Sequence, residues 1–286
     1  MPELPEVETV CRGLGQRLRN FRIHDIDVLH ERTIASLGGP KLFRESLIGA
    51  WVGLWRRRGK YLIAQLENRC NSNFVSKCGL WVIHLRMTGQ LLWYENANPI
   101  CRHTRVCLRD INGREIHFVD VRSFGRMWWV PQETEVESAI VGLGSLGPEP
   151  FSDDFSIAYL VEQLQRSRRP IKTALLDQRL VAGPGNIYAD ESLFLAGIRP
   201  QTICCKLSRE RIIRLRLSLI DTLNRGIAAG GTTFSNFCNL EGINGNYSSQ
   251  AWVYRRRGQP CRVCGNQICR TYLAGRSSHW CPNCQT

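Results

Sequence analysis

The chain has 286 residues, of which 43% are hydrophobic, so it can form a globular protein of two or three domains. Its 38 lysines and arginines outnumber 25 acidic residues, and the net charge of +13 favours a polyanionic partner such as nucleic acid. No apolar run reaches the roughly 18–20 residues that span a bilayer, and the N-terminus lacks the pattern of a signal peptide. We therefore expect a soluble, cytoplasmic protein.

The N-terminal segment, residues 1–8, places a small residue after the initiator and a carboxylate beside it. Removal of Met1 would leave Pro2 with the main-chain amine, which titrates near pH 7.7–8.0, roughly two to three units below lysine. Such an amine can attack electrophilic carbon and form an imine, and Glu3 could carry a proton for the departing group. The alternative is that Pro2 and Glu3 only begin a helix.

The first half of the chain reads as one helix followed by a β-rich region. Apolar residues recur every three or four positions over residues 5–18, which predicts an amphipathic helix. Short β-like runs follow, and the clearest cover residues 61–66, 80–87, 105–111 and 114–119. Asn112-Gly113 is a strong two-residue hairpin signal. The pattern favours an antiparallel sandwich or barrel.

Three segments of this β-rich region could contact DNA. Residues 56–60 form a basic turn whose cations could hold a phosphate, or a solvated charged hairpin. In residues 81–87, strand alternation places His84 opposite the apolar face that carries Met87, which could be core or an exposed wedge. Residues 120–126 place Phe124 between two arginines, a composition suited to stacking on bases.

The second half is helical after a linker rich in glycine and proline at residues 141–150. Ser152-Asp153 could cap the first helix, and further helices are predicted at residues 171–179, 187–196 and 208–229. The glycine-rich turn at residues 183–186 precedes a helix N-terminus, where exposed N–H groups could bind phosphate. Residues 230–249 form a long polar loop, which is typical of a functional loop.

The C-terminal segment carries two CxxC pairs, Cys261 with Cys264 and Cys281 with Cys284. Four thiolates from two such pairs form a closed tetrahedral Zn²⁺ site, so the metal is structural rather than catalytic. Accidental pairs or disulfides are the alternative. The other nine of the 13 cysteines are scattered, which fits a reducing compartment. Arg276 should lie at the tip of a hairpin between the two pairs.

Five motifs in chain order resemble the formamidopyrimidine-DNA glycosylase family. They are residues 2–8, 58–61, 84–89, 185–191 and the terminal zinc hairpin. The resemblance implies an α+β multidomain protein with an N-terminal antiparallel β-sandwich and flanking helices, a helix–two-turn–helix domain and a C-terminal zinc-finger hairpin with four cysteine ligands. The implied boundaries are 1–135 for the catalytic domain, 136–151 for a linker, 152–250 for the helical domain with its lesion-recognition loop, and 251–286 for the finger.

The resemblance also implies an activity and a partner. The family excises oxidised purines such as 8-oxoguanine and formamidopyrimidines, and then cleaves the abasic site by β,δ-elimination. The implied partner is double-stranded DNA with oxidised bases or abasic sites, held by a monomer in the cleft between its lobes. One structural zinc is the implied cofactor.

The resemblance assigns a role to particular residues. Pro2 matches the nucleophile, Glu3 the acid/base, and Lys60 and Arg276 the cations on the phosphates around the lesion. The further DNA contacts it implies are His84, Met87, Arg105, Arg122, Phe124 and Asn186, of which Met87, Arg122 and Phe124 would fill the gap left by an everted nucleotide.

Two positions depart from the common family pattern. Arg86 stands where many members have a small residue, and Ser123 stands where many have a second arginine. Two other functions stay open at this point: an endonuclease VIII-like glycosylase for oxidised pyrimidines, and a non-catalytic protein that binds damaged DNA. The long loop at residues 232–247 and the intact Met87, Arg122 and Phe124 favour the purine branch.

Overall fold

The computed structural model describes residues 1–70, 74–232 and 238–286, and it divides into two compact units. The N-terminal unit comprises Met1–Gly144 and Gly230–Gly245, and the C-terminal unit comprises Ser145–Ala229 and Asn246–Thr286. These units are defined by packing, and the successive domain boundaries expected from the sequence remain a prediction. Part of the expected lesion-recognition loop, residues 233–237, lies outside the described residues.

Helix α1, Leu4–Arg17, opens the N-terminal unit and confirms the helix predicted from the apolar spacing. Glu3 is its N-cap and forms a reciprocal capping box with Glu6, while Pro5 occupies the first turn, where its missing N–H costs nothing. The apolar face of the helix is buried and comprises Leu4, Val7, Val10, Cys11 and Leu14.

Two four-stranded antiparallel sheets make up the body of the N-terminal unit. The strands are β1 Ile23–Val28, β2 Trp51–Arg58, β3 Tyr61–Cys70, β4 Phe74–His84, β5 Gly89–Tyr94, β6 Thr104–Asp110, β7 Glu115–Asp120 and β8 Arg126–Val130. One sheet has the order β1-β6-β7-β5 and the other β2-β3-β4-β8. Apolar side chains of both sheets and of α1 share one buried core, so the predicted sandwich is confirmed. Three short helices complete the unit, namely α2 Gly39–Leu47, α3 Val136–Ala139 and α4 Val141–Gly144.

The strand predicted over residues 80–87 ends early, at His84. The backbone turns at Arg86, whose φ of +54° is incompatible with an extended strand. The alternation that grouped Met87 with the core residue Trp81 is therefore wrong, because Met87 is 36% exposed. The turn brings Met87 to the surface, as a wedge would require.

The C-terminal unit contains the helices and the terminal hairpin. Its elements are α5 Ile157–Gln165, α6 Ile171–Leu176, α7 Asn186–Leu195, α8 Arg209–Ala228, α9 Tyr247–Gln250, β9 Cys269–Leu273 and β10 Arg276–Trp280. The predicted cap at Ser152 is wrong, because Ser156 caps α5 by accepting a hydrogen bond from the Tyr159 N–H at 3.1 Å. Ser152 instead donates to the Glu149 carbonyl within a turn. Among the described helices, none combines the length and apolar character needed to cross a bilayer.

Candidate active site

Pro2 and Glu3 lie immediately before α1, and a hydrogen bond to Glu6 holds the Glu3 backbone. Both residues are buried, and Glu3 is only 2% exposed. The Glu6 carboxylate accepts the Glu3 N–H at 2.7 Å and, through its other oxygen, the Thr232 N–H at 2.7 Å. The two interpretations of the N-terminus are thus compatible, because Glu3 caps the helix while remaining beside Pro2. Sequence reasoning missed Glu6, although its spacing of three from Glu3 is the capping-box signal.

Lys60 lies in the two-residue hairpin loop between β2 and β3. Gly59 has a φ of +54° and supplies the left-handed conformation that the first position of such a loop requires, and Lys60 follows at 8% exposure. Arg57 donates to the Glu8 carboxylate at 2.9 Å and to the Gly59 carbonyl at 3.0 Å. Of the cations in this turn, Arg57 therefore joins the hairpin to α1 and is not available to hold a phosphate.

The contact between Arg57 of the hairpin and Glu8 of α1 is an ion pair. Burial by itself would raise the pKa of Glu8, but hydrogen bonds and charge from Arg12 and Arg57 lower it below its usual value. Glu8 therefore stays ionised at neutral pH. The ion pair between Arg57 and Glu8 therefore joins the hairpin that carries Lys60 to α1, which begins two residues after Pro2.

His84 ends β4 and is neutral at physiological pH. Burial lowers its pKa to about 3, with the positive charges of Arg86 and Lys60 adding to the effect. Its Nδ1 accepts a hydrogen bond from the Arg86 N–H at 3.0 Å, which assigns the proton to Nε2. His84 can therefore act as a neutral hydrogen-bond donor, but it cannot supply the positive charge of a phosphate clamp.

Met87, Arg122 and Phe124 come together on the surface of the N-terminal unit. The Arg122 guanidinium lies 3.1 Å from the Met87 sulfur and 4.6 Å from the centroid of the Phe124 ring. Met87 and Phe124 are 36% and 45% exposed, so both apolar side chains reach the surface beside the Arg122 guanidinium. We call these three residues the wedge cluster. The sequence singled out each residue, and the fold brings them into contact.

Arg105 supports the loop that carries Arg122. Its Nε donates to the Asp120 carbonyl at 2.8 Å, and its Nη1 donates to the Arg102 carbonyl at 3.3 Å. These bonds engage part of the guanidinium within the protein. A contact from Arg105 to DNA stays a prediction.

The two departures from the common family pattern flank the wedge cluster and share an unusual backbone. Arg86 has a φ of +54° and Ser123 a φ of +55°, both in the left-handed region that costs a non-glycine residue about 1–2 kcal/mol. Glycine at position 86 would adopt this backbone without the strain, because it has no Cβ. The strain accompanies the sharp turns that expose Met87 and Phe124.

Hydrogen bonds with the Gln178 side chain hold the glycine-rich turn before α7. The Gly183 N–H donates to Gln178 Oε1 at 2.9 Å, and Gln178 Nε2 donates to the Pro184 carbonyl at 2.9 Å. The expectation of a free phosphate-binding N–H is therefore wrong for Gly183. Asn186 begins α7 half-buried, with its Nδ2 3.5 Å from the Tyr254 hydroxyl and 3.4 Å from the Ser277 hydroxyl.

Two acidic residues of α7 anchor the zinc-binding segment, a role that sequence reasoning missed. Asp190 is fully buried and forms an ion pair with Lys172 at 2.6 Å, and it accepts the His279 N–H at 2.8 Å. Glu191 accepts three backbone N–H groups, from residues 252, 253 and 254, at 2.7–3.0 Å. Burial raises the pKa of Glu191 despite these bonds. Since His279 lies on β10, this network positions the strand that begins with Arg276.

The four cysteines of the C-terminal segment form a cluster that fits zinc. All four sulfur atoms lie within 4.8 Å of one another, with Sγ–Sγ distances of 3.8 Å between Cys261 and Cys284 and 3.5 Å between Cys264 and Cys281. A disulfide needs about 2.05 Å, whereas a zinc tetrahedron with Zn–S bonds of about 2.3 Å has edges close to those observed. Arg276 follows the Ala274-Gly275 turn and is exposed, so the predicted cation at the hairpin is confirmed.

A second group of possible ligands, Cys107, Glu115 and His117, does not fit a metal. The Glu115 carboxylate already accepts Arg109 Nε at 2.8 Å and lies 2.7 Å from His117 Nε2. Burial raises the pKa of Cys107 to about 12, so its thiol stays protonated. The nearby guanidinium supplies the positive charge that a cation would bring.

Comparison with known proteins decides the family. Models of the formamidopyrimidine-DNA glycosylase N-terminal domain and H2TH domain match residues 1–127 and 146–238, and a model of the zinc finger found in FPG and IleRS matches residues 258–286. A formamidopyrimidine-DNA glycosylase of Parasynechococcus marenigrum (strain WH8102) is 59% identical over 286 residues, with full coverage of both chains. The chain belongs to the formamidopyrimidine-DNA glycosylase family.

Solved structures of formamidopyrimidine-DNA glycosylases agree with this assignment. A complex between the Lactococcus lactis Fpg and DNA with an abasic site matches with a TM-score of 0.89 and 33% identity, covering 99% of both chains. A structure of MutM with DNA containing carbocyclic 8-oxo-G matches with the same TM-score and identity over 100% of both chains. The fold class expected from the resemblance, including its four-cysteine zinc finger, is confirmed.

Proposed function

We propose that this protein is a bifunctional DNA glycosylase that excises oxidised purines, including 8-oxoguanine and formamidopyrimidines, and then cleaves the abasic site. The observation that carries the proposal is the wedge cluster, in which two loops bring an exposed methionine, arginine and phenylalanine together. A base must leave the helical stack before its sugar can be attacked, and wedge side chains then occupy the void. Relatives of the same fold are bound to abasic-site, Fapy-dG and carbocyclic 8-oxo-G DNA.

Pro2 is the nucleophile of the proposed reaction. After removal of Met1, its secondary amine attacks C1′ of the damaged nucleotide, the C1′–N bond breaks, and the base leaves with a proton for which Glu3 is the carrier. Ring opening of the sugar gives an iminium, which is cationic without further protonation because the amine is secondary. Loss of a C2′ proton then expels the 3′ phosphate by β-elimination, and δ-elimination expels the 5′ phosphate.

The other predicted residues hold the DNA in this proposal. Lys60 and Arg276 bind the phosphates around the lesion, and Asn186 binds a phosphate beside them. His84 contributes a neutral donor. Zinc holds the finger that carries Arg276 and takes no part in the chemistry. We place the protein in the cytoplasm with the nucleoid, because its proposed substrate is chromosomal DNA, and we propose that it acts as a monomer.

Arg122 reads the base opposite the lesion. When the damaged purine leaves, a guanidinium can donate to O2 and N3 of an orphaned cytosine, whereas adenine turns its amino group toward such a donor. Cytosine should be preferred by roughly 1–3 kcal/mol. The Arg122→Ala variant should form the iminium but lose most of this preference, and single-turnover excision opposite cytosine and adenine measures the ratio.

Borohydride trapping on a duplex with one oxidised purine tests the proposed function. The mature protein should give a covalent adduct, because borohydride reduces the iminium to a stable amine. A form that retains Met1 should give none, while Lys60→Ala should give some. A normal adduct yield from the Met1-retaining form would mean that another amine is responsible.

A parallel assay separates the two rival functions. Duplexes with an oxidised pyrimidine should be poor substrates beside those with an oxidised purine, and the opposite order would favour an endonuclease VIII-like activity. Binding without any adduct would favour a non-catalytic damage-binding protein.

A further inference from the structure

One buried carboxylate, that of Asp120, connects the two loops that form the wedge cluster. Asp120 is the last residue of β7, is fully buried, and lies opposite Gly89 in the sheet. Its Oδ1 accepts the Thr88 hydroxyl and, at 3.1 Å, the Arg122 N–H. Its Oδ2 accepts the Gly125 N–H at 2.7 Å. Thr88 follows Met87 directly, so the carboxylate bonds both loops at once.

The Thr88 hydroxyl adds a direct hydrogen bond between the two loops. It donates to Asp120 and also accepts the Arg122 N–H at 3.2 Å, so the two loops are bonded to each other as well as to the carboxylate. Hydrogen bonds to an ionised group are stronger than those between neutral groups. The backbone of Arg122 is therefore fixed relative to Met87, whose sulfur its guanidinium contacts.

Close packing beneath the loops leaves no room for a side chain at Gly89 or Gly125. A Cβ on Gly125 would lie 2.3 Å from the Phe118 ring, and a Cβ on Gly89 would lie 2.5 Å from the Leu85 carbonyl. Both glycines are thus required where the loops approach the core. The strained turn at Ser123 lies between the two N–H groups that Asp120 binds.

We propose that Asp120 is a positioning residue for base eviction, which sets the wedge cluster in its gap-filling arrangement before DNA binds. Ordering two flexible loops during binding would oppose the reaction by the entropy of the ordered residues. The Asp120 carboxylate removes that cost from the step in which the damaged base leaves the stack. This inference rests on the proposed function and assigns Asp120 no contact with DNA.

The test compares Asp120→Asn with a matched variant of the same sheet. The asparagine keeps one acceptor oxygen but turns an NH₂ group toward one of the two N–H donors, that of Arg122 or that of Gly125. Asp110→Asn is the control, because Asp110 is also buried at a strand end and accepts the Asn112 and Arg114 N–H groups at 2.9 Å. It organises the turn between β6 and β7, residues 111–114, which carries no predicted DNA contact.

Single-turnover excision opposite cytosine and adenine, and cleavage of a preformed abasic site, are the measurements. Asp120→Asn should excise the oxidised purine about tenfold more slowly. It should also lose much of the preference for cytosine, while cleavage at the abasic site, where no base must be evicted, stays near the wild-type rate. Asp110→Asn should keep the wild-type preference even where it lowers the melting temperature.

The Thr88 variants keep the test decisive if Asp120→Asn does not fold. Thr88→Val removes the hydroxyl and should lower the cytosine preference, whereas Thr88→Ser should restore it. An equal loss of all three rates in Asp120→Asn, or an unchanged preference in both Asp120→Asn and Thr88→Val, would overturn the inference. Absence of any borohydride adduct from the wild-type protein would instead overturn the proposed function, and this inference with it.

Discussion

At the scale of single residues, two residues beside the wedge cluster adopt unfavourable backbone conformations. Arg86 and Ser123 both adopt a positive φ, and neither is glycine. Strained residues of this kind persist where surrounding contacts determine the turn, and they are common at functional sites. Here the turns expose Met87 and Phe124, so the strain accompanies the exposure of large apolar side chains.

The strain at Arg86 should be measurable as stability. Arg86→Gly should raise the free energy of unfolding by about 0.5–1 kcal/mol, because glycine adopts a positive φ freely but loses more chain entropy on folding. Arg86→Ala is the control, since it removes the same side chain and keeps the strained Cβ. Urea unfolding of the three proteins gives the comparison. An equal gain from alanine would mean that side-chain repulsion, not backbone strain, is relieved.

The half-buried His84 should make the protein sensitive to acid. Its pKa is about 3 in the folded state against roughly 6.5 in an unfolded chain. Between these values the unfolded state binds a proton that the folded state does not, so this contribution to stability is complete above pH 6.5 and is lost as the pH falls toward 3. His84→Gln should therefore lose less stability on acidification than the wild type, and parallel acid-unfolding curves for the two proteins would contradict this.

At the scale of elements, α7 is the centre of the C-terminal unit. Asp190 and Glu191 occupy neighbouring positions of this helix and bind the zinc hairpin and the segment that precedes it. The helix also packs tightly on α8, because a Cβ on Gly226 would lie 2.5 Å from the Tyr188 ring. The motif at residues 185–191 is therefore mainly an internal scaffold that orients Asn186 and Arg276.

Zinc should be required for this part of the fold. The apolar cluster of the finger is small and is shared with Phe194 of α7, so metal binding supplies much of the folding free energy of the finger. The purified protein should contain one zinc, and chelation should unfold the hairpin and weaken DNA binding. Metal analysis with circular dichroism and a binding titration would follow both effects.

Cysteine substitutions provide the matched comparison for zinc. Cys261→Ser should lose the metal, whereas Cys269→Ser should keep it, because Cys269 lies in the same hairpin outside the four-cysteine cluster. Full activity in a protein free of zinc would show that the metal is dispensable.

At the scale of the whole molecule, the excess of positive charge should dominate affinity for DNA. If roughly 6–10 phosphates are bound, affinity should fall by about 10³–10⁵ between 50 and 200 mM salt, because bound cations displace counterions from the DNA. Arg276→Ala should reduce the slope of log affinity against log salt by about 1. Arg225→Ala is the control, because Arg225 is paired with Asp221 on α8 at 2.9 Å. A nearly flat salt dependence would contradict phosphate-dominated binding.

The sequence by itself determined the features that depend on local pattern. Apolar spacing predicted α1, and the CxxC pairs predicted the zinc cluster. Asn112-Gly113 predicted the β6–β7 hairpin, although its loop spans residues 111–114 and not the two residues expected. Each of these depends on residues that are close in the chain, where helical periodicity, turn chemistry or ligand spacing acts directly. The five motifs also indicated the family, because their occurrence in the expected order along the chain is far more specific than any one motif alone.

Only the tertiary structure decided which of these residues work together. The basic turn at residues 56–60 was open to a phosphate contact or a solvated hairpin, and its Arg57 binds Glu8 instead. Strand β4 ends before Met87, because the backbone turns at Arg86. The bonds from Thr88 to Asp120 and from Asp190 to His279 join residues that are distant in the chain. Local propensity carries no information about such partners, because they meet only when sheets and helices pack. The assembly of the wedge cluster was therefore decided by packing, although its members were visible in the sequence.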